Sequence, residues 1–240
     1  MHWRGTPAGA SLKERIGIRY KSILVVTTLV VMGNVIALTT QRGSAAAAFG
    51  QVITVEARSP GSTVAVVRIW QLESSGHYLQ VHGPFLADVG VHGVGPTREG
   101  LGRTPIGVFT LTQAFGNQPN DNTKMAYFRA GPNDWWDENP SSALYNHHVI
   151  SQLSPGGNSE NLFDAGGAYA HAVVINYNTD PIVGGAGSGF FLHVSIGRST
   201  RGCVAISAKD LNIVMHWLNP AQHPSISIGV GVKALAVVMT

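Results

Sequence analysis

Cysteine is all but missing from this chain: one residue in 240, Cys203. A single cysteine excludes an internal disulfide, a Cys-x-x-Cys redox pair and any multi-cysteine zinc site. Charge is also scarce, with Asp, Glu, Lys and Arg together at 12%. From residue 49 onward ten basic side chains face twelve acidic ones, a net charge of −2, so the basic character of the whole chain belongs to its first 48 residues. No later basic run interleaved with aromatics exists, which argues against a nucleic-acid partner. His-Glu-x-x-His and Gly-x-Ser-x-Gly are absent too, removing the commonest zinc-protease and serine-hydrolase signatures.

A long uninterrupted apolar run is likewise missing. Arg4, Lys13, Arg15, Arg19 and Lys21 form a basic leader. Ile23 to Leu38 then runs apolar, broken by Thr27, Thr28, Gly33 and Asn34. Sixteen helical residues span roughly 24 Å, short of a hydrocarbon core of about 30 Å. With the small-residue run Gly43-Ser44-Ala45-Ala46-Ala47-Ala48 behind it, residues 1–48 read as a signal peptide cut after Ala48, with an uncleaved anchor as the alternative. The expectation is an exported protein of the periplasm or cell wall, touching membrane only through an uncleaved leader.

Residues 49–240 fit one domain. They are rich in Gly, Val, Ser and Pro and poor in Lys, Glu and Leu, a balance that favours strands joined by turns. Strands are expected at 52–55, 63–72, 78–81, 106–112, 169–177, 190–195 and 225–230, with a hairpin turn at 73–76 and a loop over 93–105. Residues 116–168 lack a clear period. One helix is expected at 208–218, capped by Ser207 with Asp210 three residues on. Leu211, Val214, Met215 and Leu218 share one face, and Asn219-Pro220 stops it. The fold class is therefore mostly β with one helix.

What the chain does carry is that lone thiol, ten residues after His193. Outside the cytosol an unpaired cysteine is explained by reactivity or by use as a small buried filler. A reactive thiol needs a base and donors for the oxyanion. His193, at the end of the apolar run Phe190-Phe191-Leu192, supplies the first, and the amides of Gly202 and Cys203 supply the second. The bland reading of His193 is a core histidine. His147, His148 and His171 form no metal-ligand pattern. Asp134, Asp137 and Glu138, beside Trp135 and Trp136, read as a solvated acidic loop in preference to a site for an amine-bearing acceptor. Trp135, Trp136 and Tyr145 either line a groove or pack.

Three segments in order, Gly102-Arg103-Thr104-Pro105-Ile106-Gly107, Phe191-Leu192-His193 and Ser199-Thr200-Arg201-Gly202-Cys203-Val204, resemble the catalytic domain of L,D-transpeptidases. Asp134-Trp135-Trp136, Tyr145-Asn146 and Ala172 to Asn178 are similar to an actinobacterial exported branch of that family. The resemblance covers roughly residues 60–230. It implies a β-sandwich catalytic domain acting on peptidoglycan stem peptides. Cys203 would be the nucleophile and His193 the base, with Gly202, Arg201 and Ser199 as oxyanion and substrate contacts. No metal or organic cofactor is implied. Formation of 3→3 cross-links through a thioester is the implied reaction. An L,D-carboxypeptidase, a cell-envelope-binding module without activity and a thiol hydrolase unrelated to the wall stand as alternatives. The chain departs from the family pattern at Arg201, where His is frequent, and at Ala205, where Arg or Asn is frequent. Arg201 reads either as a fixed charge near the thiolate or a substrate carboxylate, or as a solvated surface residue.

Overall fold

The computed structural model describes residues 49–239. The leader assigned to residues 1–48, with its cleavage site, lies outside them. Fourteen strands and one α-helix follow in chain order. These are β1 (Gln51–Ala57), β2 (Val64–Leu72), β3 (Tyr78–Asp88), β4 (Val94–Gly95), β5 (Thr104–Pro105), β6 (Gly107–Gly116) and β7 (Ala126–Arg129). Then come β8 (Asp134–Trp136), β9 (His148–Ile150), β10 (Glu160–Asn161), β11 (Ala172–Ile175), β12 (Phe191–Val194), β13 (Val204–Ile206), α1 (Ala208–Trp217) and β14 (Ser225–Val230).

Nine strands form one sheet in the order β11-β12-β13-β3-β2-β1-β14-β6-β7, and β11 also pairs with β6. That extra antiparallel pairing, Ala172 opposite Phe115 and Val173 opposite Ala114, joins the two ends of an eight-strand run. The expected sandwich is thus a single sheet folded over and sealed along both edges, which leaves only β7 as a flap. Most neighbours are antiparallel. β1–β14, β12–β13 and β6–β7 are parallel.

Strand alternation divides the interior in two. Val173, Ile175, Leu192, Val204 and Ile206 point into the main core with Ile53, Val67, Ile69 and the buried face of α1. Their neighbours Ala172, Val174, Phe191 and Cys203 point the other way, into an aromatic cluster with Phe115, Trp136, Leu162 and Tyr169. A three-stranded sheet, β10-β8-β9, closes over that second cluster. The least regular stretch of the sequence is therefore the cover of the face that carries the cysteine.

Helix α1 forms where its residues dictate. Ser207 Oγ accepts from the Asp210 amide at 3.1 Å, and Leu211, Val214 and Met215 are buried. Three expectations need correction. Tyr169 to His171 are not strand: Gly166, at φ +60, opens a 3-10 turn over Gly166–Tyr169, and β11 starts only at Ala172. The 78–81 strand runs on to Asp88 because β2 continues beside it as partner. The 93–105 loop contains the short parallel pair β4–β5. No helix among the described residues is long and apolar enough to cross a membrane.

Candidate active site

β12 and β13 position the two residues singled out by the sequence. In their parallel register Leu192 pairs with Val204 and His193 with Ala205. Cys203 therefore sits one step before β13, on the same face as Phe191 and His193, diagonal to the imidazole. The alanine opposite His193 has no side chain beyond Cβ. It leaves a cavity of about 620 Å³ lined by Cys203, His193, Tyr169, Ser199, Arg201 and Ala205 among others. A second cavity of about 270 Å³ also borders the sulfur, lined by Cys203, Gly202, Gly189, Ser188, Glu99 and Glu138 among others. Arg201 and Glu160 border both. The thiol thus faces two chambers of ligand-binding scale.

Cys203 is only 8% exposed. Its Sγ accepts from the Phe191 amide at 3.4 Å and donates to the Gly189 carbonyl at 3.4 Å. Burial, and after it the Glu160 carboxylate, pushes the thiol well above its ordinary range; the Phe191 amide and Arg201 pull the other way and lose. At neutral pH the resting sulfur is a thiol.

His193 is buried as well. Its Nδ1 lies 2.9 Å from the Val194 carbonyl, an acceptor, so Nδ1 carries the hydrogen and Nε2 is the basic nitrogen. Tyr169 packs edge-on to the ring at 5.3 Å. Burial lowers the imidazole pKa, against the pull of the Val194 and Ala168 carbonyls and the Glu160 and Asp88 carboxylates. The imidazole therefore rests neutral, in the form that accepts a proton. Among the described residues no hydrogen bond joins it to Cys203.

Arg201 pairs with Glu160, while its side chain stays 72% exposed. Glu160 also accepts from the Tyr169 hydroxyl. The Gly202 amide already donates to Thr200 Oγ1 at 3.1 Å, so an oxyanion there would compete with that hydroxyl. Gly202 itself, at φ +143, lies where an added Cβ would come within 2.5 Å of the Phe190 ring. Ser199 is half-buried and lines the larger cavity.

The acidic loop is the correction with most consequence. Asp137 is 1% exposed and Glu138 6%, not solvated. Asp137 is held by the Ser142 hydroxyl and the Asn139 amide. Glu138 enters the smaller cavity beside Cys203. Local sequence gave no sign of this, because the burial comes from β8, β10 and the distant Gly187–Phe190 segment. Glu99 and Glu160 also border the thiol, and no motif marks either. Trp136 packs edge-on to Phe191 at 5.0 Å, and Trp135 donates to the Ser151 carbonyl. Tyr145 donates to Glu99 at 2.6 Å. His148 stacks on Phe128 and binds Asp134, while His147 and His171 meet the carbonyls of Tyr145 and Pro119.

Comparison with known families decides the class. Residues 74–230 match the YkuD family model, the L,D-transpeptidase catalytic domain. The chain belongs to the YkuD family. The match spans both cavities and every residue named for the site. A YkuD domain is an L,D-transpeptidase-type catalytic domain that acts on peptidoglycan peptides. No curated protein and no solved structure matches the chain.

Proposed function

We propose that this YkuD protein is an exported cysteine acyl-transferase that forms 3→3 cross-links between peptidoglycan stem peptides. The observation that carries the proposal is that Cys203 and His193 share one face of adjacent parallel strands, with Cys203 lining two chambers. Two chambers suit a reaction with two peptide substrates.

The proposed steps start from the resting geometry. As the donor stem enters, the S–H bond turns from the Gly189 carbonyl toward His193 Nε2, which takes the proton. Sulfur bonds to the carbonyl carbon of the diamino acid's L-centre, and the Cys203 amide faces the developing oxyanion. The C–N bond to the terminal D-alanine breaks, and His193 returns the proton to the leaving amine. A side-chain amine of a second stem then attacks the thioester, loses a proton to His193, and the sulfur leaves as a thiol. Water in place of the amine makes the same site an L,D-carboxypeptidase. Apo catalytic hydrogen bonds are frequently long, and a neutral thiol beside a neutral imidazole suits deprotonation during attack. Arg201 borders both chambers with Glu160; in this reading it meets a stem carboxylate, and Ser199 contacts peptide in the larger chamber. Export through residues 1–48 brings the domain to its substrate.

A second reading has two observations in its favour. The raised thiol, and the lack among the described residues of a hydrogen bond between Cys203 and His193, suit an envelope-binding module without turnover. Incubating the full chain and its Cys203→Ala variant with a disaccharide tetrapeptide separates the two. The transferase reading expects free D-alanine and cross-linked dimers from the first and neither from the second. Binding without D-alanine release favours the module.

A further inference from the structure

Of the carboxylates around the smaller cavity, Glu138 alone has nothing to hold. Glu99 accepts from Tyr145 and Ser188, each at 2.6 Å, and from Asn158. Glu160 has Tyr169 and Arg201. Glu138 is 94% buried, yet its side chain makes no hydrogen bond or ion pair with any described residue. It lies over Gly189, where a Cβ would come within 1.8 Å of Oε1, and the Gly189 carbonyl accepts from the Cys203 thiol. The unpartnered carboxyl and the nucleophile thus both approach the same glycine. Arg201 is committed to Glu160, and the other basic groups lining the cavity, Arg98 and His92, are exposed and form no ion pair with it. The Glu138 carboxyl opens onto the cavity without a donor from any described residue, and a ligand in the cavity that brings one would complete it.

We infer that the cavity of Glu99, Glu138 and Ser188 seats the acceptor's primary amine, with Glu138 as the group that binds the ammonium ion and takes its proton before the amine attacks. The inference rests on the acyl-transfer reading proposed above and assigns it a specificity residue. A carboxylate receives an alkylammonium ion as a charge-assisted hydrogen bond, whereas water or a hydroxyl brings no charge. Proton transfer from the N–H to Glu138 then leaves a neutral amine beside the thioester. The new C–N bond forms as the C–S bond breaks.

The electrostatics agree with this geometry. Burial first, then Glu160 and Glu99, pushes Glu138 up to about 9, with Arg201 opposing and Asp137 adding to the rise. At neutral pH Glu138 is therefore a neutral acid. Binding an ammonium ion must release close to one proton to solvent.

The probe is n-butylamine, compared with n-butanol of the same size, titrated calorimetrically at neutral pH into the full chain in two buffers of different ionisation enthalpy. The expected result is at least tenfold tighter binding of the amine, with about one proton released per molecule bound. Glu138→Gln lowers amine affinity at least tenfold and removes the proton release. Equal affinity for amine and alcohol overturns the inference without any variant, and so does unchanged amine binding by E138Q. With the disaccharide tetrapeptide, E138Q shifts the ratio of dimer to hydrolysed product at least tenfold toward hydrolysis, a ratio independent of the acylation rate. D-Alanine release with an unchanged ratio sinks the amine seat and leaves acyl transfer standing. Amine binding through Glu138 without D-alanine release does the reverse.

Discussion

His193 lies directly opposite Ala205 across the parallel β12–β13 pair, and Cys203, two residues before Ala205, shares its face. Sheet alternation alone sets this relationship: a one-residue slip of β13 would send the sulfur into the main core among Val204 and Leu192, and a slip of β12 would send the imidazole there. The chemistry thus depends on register, and register depends on the apolar residues between the two polar ones.

The first prediction concerns protonation. Burial lowers the His193 pKa below 6.5 and raises that of the Cys203 thiol. The imidazole is then in its base form across neutral pH, and the acid limb of acylation lies below about pH 6.5. Acylation by a carbapenem-type β-lactam, followed over pH, is expected to show that limb. His193→Gln is expected to flatten it and to slow acylation by about 100-fold or more. Alkylation by iodoacetamide is expected to rise with pH through 9 without a plateau near 7, since no resting thiolate is present. A plateau there would show a preformed ion pair.

The second prediction concerns Glu138 and stability. Its carboxyl is pushed up to about 9 from an ordinary 4.5. Between those values the native chain holds a proton that the unfolded chain has released, so stability falls as pH rises. The melting temperature of the wild-type protein is expected to drop more steeply from about pH 5 to 9 than that of Glu138→Gln. Parallel curves would contradict the burial described here.

The third prediction concerns the turn before the sulfur. Gly202 has φ +143, and a Cβ there would meet the Phe190 ring at 2.5 Å and the Arg103 carbonyl at 3.3 Å. Gly202→Ala is expected to cost about 1–3 kcal/mol in urea unfolding and to abolish acylation by displacing Cys203. Retained acylation would show that the turn tolerates the shift.

A fourth substitution serves as control. Ser207 caps α1 away from both cavities. Ser207→Ala is expected to cost about 1 kcal/mol, lowering the melting temperature by about 2–4 °C, with no change in acylation rate.

How far the sequence carried this account depends on the range of each interaction. Helix α1 was legible because its cap and apolar face are local, and β1, β2, β12 and β14 because β-branched runs declare themselves. The closure of the sheet by β6 and β11 was not, since those partners lie about sixty residues apart and nothing nearby in sequence pairs them. Tyr169 to His171 looked like the start of a strand, yet the glycines at 166 and 167 set a turn first. Cys203 and His193 were legible as a motif, whereas their diagonal placement required the register. Glu138 was misread as solvated because its burial comes from residues about 20 to 65 positions away, Ser159, Gly189 and Cys203 among them. Three acids in five residues ordinarily face water, yet here Asp137 and Glu138 are both buried, the second of them beside the nucleophile.

The most direct test of the central claim is intact-mass measurement, with peptide mapping, of the full chain mixed briefly with a disaccharide tetrapeptide. The account predicts a mass gain equal to the stem less its terminal D-alanine, located on Cys203 and absent from Cys203→Ala. A chain that stays unmodified, while its one thiol still titrates after unfolding, would contradict it.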